Sequence, residues 1–200
     1  SAISNPRITS CSKPMHVAGL IYALDLGQRA GFAAGTPWAA PRSGAVLLKT
    51  KNEARAVALG NLIAWLAEEW TRERPALVVK EAPLPLQAFK ERGNSEAGVL
   101  MAYGLHGITE ALCRRYGIRL EQAHPATIRK HFVGHGRLGD RKATKAAVIE
   151  RCRLLKLVPR DCEDEDRCDA LALWDWASAT FGRRHAGAET LHLFGERASA

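Results

Sequence analysis

The sequence predicts an α/β fold built on one five-stranded mixed sheet flanked by helices. In this sheet three strands form an antiparallel meander, and two further strands run parallel to the first. Two observations carry the prediction. Short apolar stretches separated by turn residues occupy positions 20–48, as in a meander. Two later strand-like stretches, 76–80 and 118–122, each follow a segment of helical spacing, and a helix between two strands leaves them parallel.

The first predicted strand, residues 20–27, carries a carboxylate where a core usually has an apolar side chain. Side chains alternate across a strand, so Asp25 shares a face with Ile21 and Ala23. Burying an unpaired carboxylate is costly, so Asp25 needs a partner. From this stretch alone two alternatives stay open. The carboxylate either accepts backbone N–H groups of the turn at Gly27 or has a functional role.

The elements of the first half are expected in a simple order. Residues 30–34 pair back on the first strand as a hairpin, residues 35–44 form a loop and residues 45–48 form the third strand. Apolar residues at helical spacing then predict a long helix over 53–72, which Pro75 prevents from continuing. The apolar face of this helix is expected to cover the sheet.

The next elements place a second carboxylate at a strand end. Residues 76–80 form a compact apolar run that predicts a buried strand ending at Glu81. Prolines and polar residues predict a long loop over 82–98. Helical spacing returns over 99–115, and Gly117 is the expected stop.

Basic residues cluster at the start of a later helix. After the strand 118–122 the sequence predicts a brief helix over 125–132 and a longer one over 142–157. Lys142 and Lys145 lie near the start of the longer helix, where positive charge opposes the helix macrodipole. Helix stability is therefore a poor reason for them, and phosphate binding is a better one.

Two carboxylates, Asp166 and Asp169, begin the last predicted helix. Their spacing of three residues puts them on one face of its first turns. The positive end of the helix dipole favours both charges, which is a purely structural explanation. Two adjacent carboxylates nevertheless repel each other, and a divalent cation removes that repulsion.

The composition bounds the class of protein. The 200 residues suit one domain with a sizeable core. There are 29 Lys and Arg against 21 Asp and Glu, giving a formal net charge of +8, and acidic residues crowd the segment 161–169. A basic surface around a concentrated acidic site suits an enzyme that acts on a polyanion through bound cations. A basic protein without such activity has the same composition, so charge alone leaves both readings open.

Cysteine usage and hydropathy predict the compartment. The five cysteines include no Cys-x-x-Cys pair, which indicates neither a disulfide framework nor a usual zinc spacing. The sequence has no apolar run long enough to span a bilayer, and residues 1–15 lack the apolar core of a signal peptide. We therefore expect a cytoplasmic protein without a membrane partner. It has a disordered N-terminal tail over 1–15, one domain over 16–182 and a C-terminal tail over 183–200.

The acidic residues at separate points of the chain are expected to meet. Asp25 and Glu81 follow neighbouring parallel strands, and the helix that carries Asp166 and Asp169 can pack beside them. Four carboxylates form a hard, oxygen-ligated site suited to Mg²⁺ or Mn²⁺ rather than zinc. Two such ions ~3.5–4 Å apart activate a water and stabilise the leaving oxygen in phosphodiester cleavage. The sequence thus predicts a two-metal nuclease without a small-molecule cofactor.

Four motifs in this order resemble a known family, and together they run from Ala18 to about Ala179. They are Ala23-Leu-Asp-Leu-Gly27 with Gly31, Val78-Val-Lys-Glu-Ala-Pro83, His124-Pro-Ala-Thr-Ile-Arg-Lys130 leading to Gly134 and Lys145-Ala-Ala-Val148, and Asp166-Arg-Cys-Asp-Ala-Leu-Ala-Leu173. The chain is similar to the ribonuclease H-like superfamily. Within it the chain resembles RuvC-type Holliday junction resolvases, especially diverged phage-like members.

The resemblance implies a function and roles for single residues. Asp25, Glu81, Asp166 and Asp169 match the four metal-binding acids, and Lys145 matches the basic residue that faces the scissile strand. It also implies a homodimer that resolves four-way DNA junctions by two symmetric nicks, leaving 5′-phosphate ends. Such an enzyme would act in DNA recombination and repair. It would be cytoplasmic and associated with the nucleoid or, if phage-encoded, would act in the cytoplasm of the host.

The chain departs from the family pattern in two places. RuvC proteins often have a His at or near the position of Asp166. The family also places an aromatic wedge just after the strand-end Glu, where this chain has Pro83, Leu84 and Pro85, so Phe89 is the candidate wedge.

Aromatic and basic side chains between Glu81 and Asp166 are candidates for DNA contact. They are Phe89, Lys90, Arg92, Arg129, Lys130, Arg141, Lys142 and Lys145. Basic side chains of this kind can also be simply solvated. Two further functions stay open: a ribonuclease H-like enzyme for hybrids, flaps, forks or strand transfer, and a DNA-binding module whose acids are structural. His131 and His135 lie four residues apart but lack an apparent third ligand, which disfavours a metal pair.

Overall fold

A computed structural model describes residues 16–37, 39–91, 93, 95–136 and 139–182, with the backbone alone for Phe89 and Lys90. The predicted tails over 1–15 and 183–200 lie outside the described residues, and so does Arg92. The described helices do not include one with the length and apolar character that crossing a membrane requires.

One mixed sheet forms the centre of the molecule. Its strands are β1 (Ile21–Asp25), β2 (Arg29–Gly35), β3 (Arg42–Leu47), β4 (Leu77–Glu81) and β5 (Arg119–Ala123). The spatial order is β3-β2-β1-β4-β5. β1 pairs antiparallel with β2, which pairs antiparallel with β3, whereas β4 runs parallel to both β1 and β5. The predicted fold class is confirmed, because each parallel pair is joined through helices.

Six helices flank the sheet in the described part of the chain, and local sequence explains where several begin and end. They are α1 (Arg55–Arg72), α2 (Leu86–Glu91), α3 (Glu96–Tyr116), α4 (Pro125–Val133), α5 (Arg141–Leu154) and α6 (Glu165–Phe181). Ser95, Asp140 and Asp164 cap α3, α5 and α6 by accepting a backbone N–H with their side chains. Gly117 ends α3 in the left-handed conformation, as predicted.

The alternation of side chains along β1 divides the interior into two cores. Ile21 and Ala23 are fully buried on the face covered by α4, α5 and α6. Tyr22 and Leu24 are fully buried on the opposite face, with side chains of α1 and α3. Each large apolar side chain buried in this way contributes about 1.5–3 kcal/mol. Asp25, the next residue on the first of these faces, therefore points toward the α6 side.

The predicted start of the third strand and the predicted loop over 82–98 were wrong. The third strand begins at Arg42 instead of Ala45, because β2 extends to Gly35 and pairs with residues that lack an apolar pattern. The predicted loop over 82–98 contains the short helix α2, which starts directly after Pro85, and α3 already begins at Glu96.

The end of α5 also differs from the prediction. The helix stops at Leu154 although apolar side chains continue to Leu157. Lys156 adopts a left-handed backbone with φ of 56°, and the N–H of Leu157 then donates back to the carbonyl of Cys152. This arrangement is a common way to satisfy the last carbonyls of a helix.

Candidate active site

The sheet brings two predicted acids to adjacent strand ends. Asp25 ends β1 and Glu81 ends β4, and the parallel register pairs Leu24 with Lys80 immediately before them. Ile21 and Ala23 share the face of Asp25, and Leu77 and Val79 share that of Glu81; all four apolar side chains belong to the core under α6. The two carboxylates therefore lie on the same face of the sheet, as alternation requires.

A glycine allows the start of α6 to approach this edge. Gly31 on β2 pairs with Asp25, and a Cβ built on Gly31 would overlap the backbone oxygen of Asp166. Only a residue without a side chain tolerates such a contact. The first turn of α6, with Asp166 and Asp169, is thereby held against the end of β1.

Electrostatics show that the four carboxylates act on one another. Burial raises the pKa of Asp25 well above its ordinary value, and the charges of Glu81, Asp169 and Asp166 raise it further. Burial and then Asp169 raise the pKa of Glu81 to about 7. Burial also raises the pKa of Asp169 against the opposing charges of Lys145 and Arg129. These acids are thus poorly compensated by the protein alone.

Lys145 on α5 faces the same acids. Its side chain is 18% exposed, its Nζ donates to Glu165, and it lies 3.8 Å from Oδ2 of Asp169. Burial lowers the pKa of Lys145, but the hydrogen bond to Glu165 and the charge of Asp169 outweigh that effect and raise it. The predicted catalytic lysine therefore lies beside a predicted metal ligand.

Asp166 is engaged by a residue that the sequence did not single out. Nη1 of Arg29 donates to Oδ2 of Asp166 at 2.8 Å, and the same guanidinium contacts both carboxylate oxygens of Asp164 at 2.7 and 2.5 Å. Arg29 begins β2, four residues after Asp25, directly after the turn that joins the two strands. No sequence pattern marks it, since its partners lie more than 130 residues away.

Comparison with solved structures identifies the fold. The chain is similar to Thermus thermophilus RuvC in complex with a Holliday junction substrate (TM-score 0.58, 15% identity, covering 80% of this chain and 92% of that one). It is equally similar to a second T. thermophilus RuvC structure (TM-score 0.58, 16% identity, covering 80% and 97%). The yeast mitochondrial Holliday junction resolvase Ydc2 gives a TM-score of 0.57 at 11% identity, covering 84% and 82%. The chain has the RuvC fold. The resemblance drawn from its motifs is confirmed at this level.

Sequence comparison adds no relative to these structures. Neither a protein-family model nor a curated protein matches the chain. At 11–16% identity the likeness to RuvC and Ydc2 establishes the fold alone.

The other residues predicted to contact DNA differ in how the structure places them. The charge of Arg129 on α4 lowers the pKa of both Glu81 and Asp169, so this arginine lies near these two acids. Arg141 is near Lys145, whose pKa its charge lowers. Lys130 and Lys142 are exposed on α4 and α5. Arg92 and the side chains of Phe89 and Lys90 lie outside the described residues.

The two histidines considered as a metal pair have other surroundings. Nε2 of His131 lies 2.8 Å from Oδ2 of Asp175 on α6, and His135 is exposed beyond the end of α4. An ion pair or hydrogen bond with Asp175 accounts for His131 without a metal.

The donors at the strand ends fit a hard cation in chemistry. They are carboxylates, partly buried and mutually repelling, with raised pKa values at Asp25, Glu81 and Asp169. Among the described residues, however, no three or more His, Cys, Asp or Glu side chains are gathered closely enough to hold one ion. The arrangement is therefore an open group of acids around the ends of β1 and β4.

Proposed function

We propose that this chain is a metal-dependent endonuclease that resolves four-way DNA junctions by paired symmetric nicks. The observation that carries the proposal is the group of four carboxylates from β1, β4 and α6, whose charges act on one another at the edge of a RuvC fold. One structure of this fold is a complex with a Holliday junction substrate, which supports branched DNA as the substrate. The domain over 16–182 carries the activity, and its place of action is the cytoplasm.

Asp25, Glu81, Asp166 and Asp169 would hold two divalent ions, Mg²⁺ or Mn²⁺. When bound, such ions make water a stronger nucleophile and stabilise the oxygen that leaves phosphorus. The chain contributes the rest. Asp25 and Glu81 share a desolvated face with raised pKa values, so they favour a bound cation over isolated negative charge. Pairing with the cations replaces the protons that these carboxyls otherwise retain.

The basic residues of α4 and α5 orient the scissile strand. Lys145 is close enough to Asp169 to contact a phosphate held at the acids, and Arg129 approaches the same group of acids from α4. Lys130, Arg141 and Lys142 extend the positive surface on the exposed sides of these helices. Phe89, Lys90 and Arg92, which follow the end of β4, remain candidates for the contact with the junction centre.

Paired nicking requires two active sites, and α3 offers a surface for a homodimer. Leu100 and Tyr103 are 48% and 37% exposed on this helix, and the small residues Gly107 and Ala111 continue the exposed stripe at helical spacing. Small residues allow two helices to pack closely, and flanking apolar side chains supply buried area. We place the dimer contact on this stripe.

Cleavage of a synthetic four-way junction in Mg²⁺ tests the function. We expect symmetric nicks with 5′-phosphate ends from the wild type and none from Asp25→Asn, which still binds the junction. A parallel panel of fork, flap and RNA–DNA hybrid substrates distinguishes the other ribonuclease H-like activities. Preferred cleavage of hybrid would reassign the substrate, and equal phenotypes of wild type and Asp25→Asn would indicate a binding module.

A further inference from the structure

Arg29 joins two acids at the start of α6 in a defined geometry. Nη1 and Nη2 contact Oδ1 and Oδ2 of Asp164 at 2.7 and 2.5 Å as a two-nitrogen fork, and Nη1 also donates to Oδ2 of Asp166 at 2.8 Å. A guanidinium holds such a planar arrangement rigidly, whereas an ammonium acts as a single point donor. Asp164 is fixed in turn, because its side chain caps α6 by accepting the N–H of Arg167.

The charges of this group decide how Arg29 acts on a nearby cation. Arg29 and Asp164 form an ion pair with no net charge. The carboxylate of Asp164 therefore offsets the repulsion between the positive charge of Arg29 and a nearby divalent cation. The remaining N–H directed at Asp166 works mainly as an orienting hydrogen bond. Oδ1 of Asp166 has no protein hydrogen bond or ion pair among the described residues, so it is available to a ligand.

The helix that carries Asp166 is anchored on the same strands. Gly31 gives the backbone of Asp166 room against β2, and Nε of Arg167 donates to Oγ of Ser43 on β3 at 2.9 Å. These contacts fix the backbone of the first turn of α6. The Asp166 side chain still needs a partner to select its rotamer, and Arg29 is its only such partner in the described part of the chain.

We propose that Arg29 is a positioning residue that orients Asp166 and thereby sets the affinity for the divalent ion which Asp166 helps to hold. The inference rests on the proposed function, since it takes Asp166 as a metal ligand. Hydrogen-bond partners of this kind contribute about 10–100-fold to the affinity of a metal site. Arg29 thus belongs functionally to the active site although it lies on the hairpin.

Mn²⁺ binding to the full chain without DNA provides the test. Electron paramagnetic resonance and calorimetry measure the number and affinity of bound ions in wild type, Arg29→Met, Arg29→Lys, Asp166→Asn and the double variant Arg29→Met/Asp166→Asn. Arg72→Met is the matched control, because Arg72 also pairs with two acids but lies on α1, on the other face of the sheet. Circular dichroism melting verifies that each variant is folded at the temperature of the titration.

We expect Arg29→Met to weaken the Asp166-dependent ion about tenfold or more, and Arg29→Lys to weaken it less. Arg72→Met should bind as wild type does, and the double variant should match Asp166→Asn alone, because Arg29 acts through Asp166. Wild-type affinity in Arg29→Met, or a further loss in the double variant, would overturn the inference while leaving the proposed function intact. Asp25→Asn is titrated alongside these variants: if it binds as many Mn²⁺ ions as the wild type with the same affinity, the proposed function fails, and the inference fails with it.

Discussion

Lys145 on α5 donates a hydrogen bond to Glu165 in the first turn of α6, and the Nζ of Lys145 also lies 3.8 Å from Oδ2 of Asp169 on the same helix. Glu165 is 50% exposed and is not one of the four predicted metal ligands. A DNA phosphate that reaches Lys145 must therefore compete with a carboxylate of the same chain.

Glu165→Gln should strengthen junction binding. The change removes the negative charge that competes with phosphate for Lys145, so we expect affinity to rise roughly 1.5-fold to fivefold at low salt, the range of an exposed ion pair. Glu163→Gln is the control, because Glu163 is exposed in the preceding loop and loses the same charge. Fluorescence anisotropy with a labelled junction measures both variants. An equal rise in junction affinity for the two variants would mean that the change in net charge alone strengthens binding, and that Glu165 does not compete for Lys145.

Removal of the lysine itself should change the salt dependence. If Lys145 contacts one phosphate, Lys145→Met lowers the slope of log affinity against log salt by about one unit. Lys51→Met, in the exposed turn before α1, gives the matched loss of charge and should leave the slope nearly unchanged. Binding isotherms over a range of salt concentrations measure the slope, and an unchanged slope for Lys145→Met would remove this lysine from the interface.

The metal-free protein should lose stability as the pH rises toward neutrality. Burial raises the pKa of Glu81 to about 7 and that of Asp25 and Asp169 above their ordinary values, so the folded chain binds protons that the unfolded chain releases. This contribution is fully present below about pH 4, where the unfolded acids titrate, and it is lost as the pH rises through 7.

Thermal melting in EDTA at pH 5.5 and pH 8 measures this effect. We expect a lower Tm at pH 8, and a smaller difference in Glu81→Gln, which has no carboxyl to titrate. Mg²⁺ should raise the Tm more at pH 8 than at pH 5.5, because cations replace protons on the same acids. A Tm that rises from pH 5.5 to 8 equally in both proteins would contradict the electrostatic account.

Gly31→Ala should separate α6 from the sheet. The new Cβ would meet the backbone oxygen of Asp166, which cannot move aside as a flexible side chain could. We expect a loss of about 1–3 kcal/mol in the free energy of unfolding and a loss of nicking. Gly60→Ala is the control, since a Cβ in α1 at that position meets nothing within 4 Å and alanine favours a helix. Chemical denaturation measures both, and equal stability of Gly31→Ala and wild type would be incompatible with the close approach.

The sequence was sufficient to predict the strands and helices whose own apolar pattern indicates which side is buried. The apolar alternation around Asp25 and the helices between strands were enough to predict the parallel pairing of β1 with β4 and the end of β4 at Glu81. The start of β3 at Arg42 was missed because the strand is selected by its partner β2 and not by its own apolar pattern. The positions of Asp25 and Glu81 at the ends of β1 and β4 were predictable in the same way, because each follows an apolar strand; their role as metal ligands stays a prediction.

Contacts between distant residues escaped prediction for a physical reason. Arg29 meets Asp164 and Asp166 only after the hairpin and α6 have packed, and no spacing in the chain encodes that distance. Lys80 was expected only as part of an apolar strand, yet it is fully buried, with Nζ 3.0 Å from both Nδ1 of His106 and Oε1 of Glu110. Strand alternation puts its charge on the face opposite to Glu81, where α3 supplies the partners.

The central claim is that acids from β1, β4 and α6 act together in DNA cleavage. The most direct measurement is Mg²⁺-dependent nicking of a synthetic four-way junction by wild type and by Asp25→Asn, with junction binding measured on the same samples. The account predicts paired nicks from the wild type and retained binding with at least a thousandfold slower nicking from the variant, roughly 4 kcal/mol of transition-state stabilisation. Nicking by Asp25→Asn at the wild-type rate, or a wild type that binds the junction and never cuts it in Mg²⁺ or Mn²⁺, would contradict it.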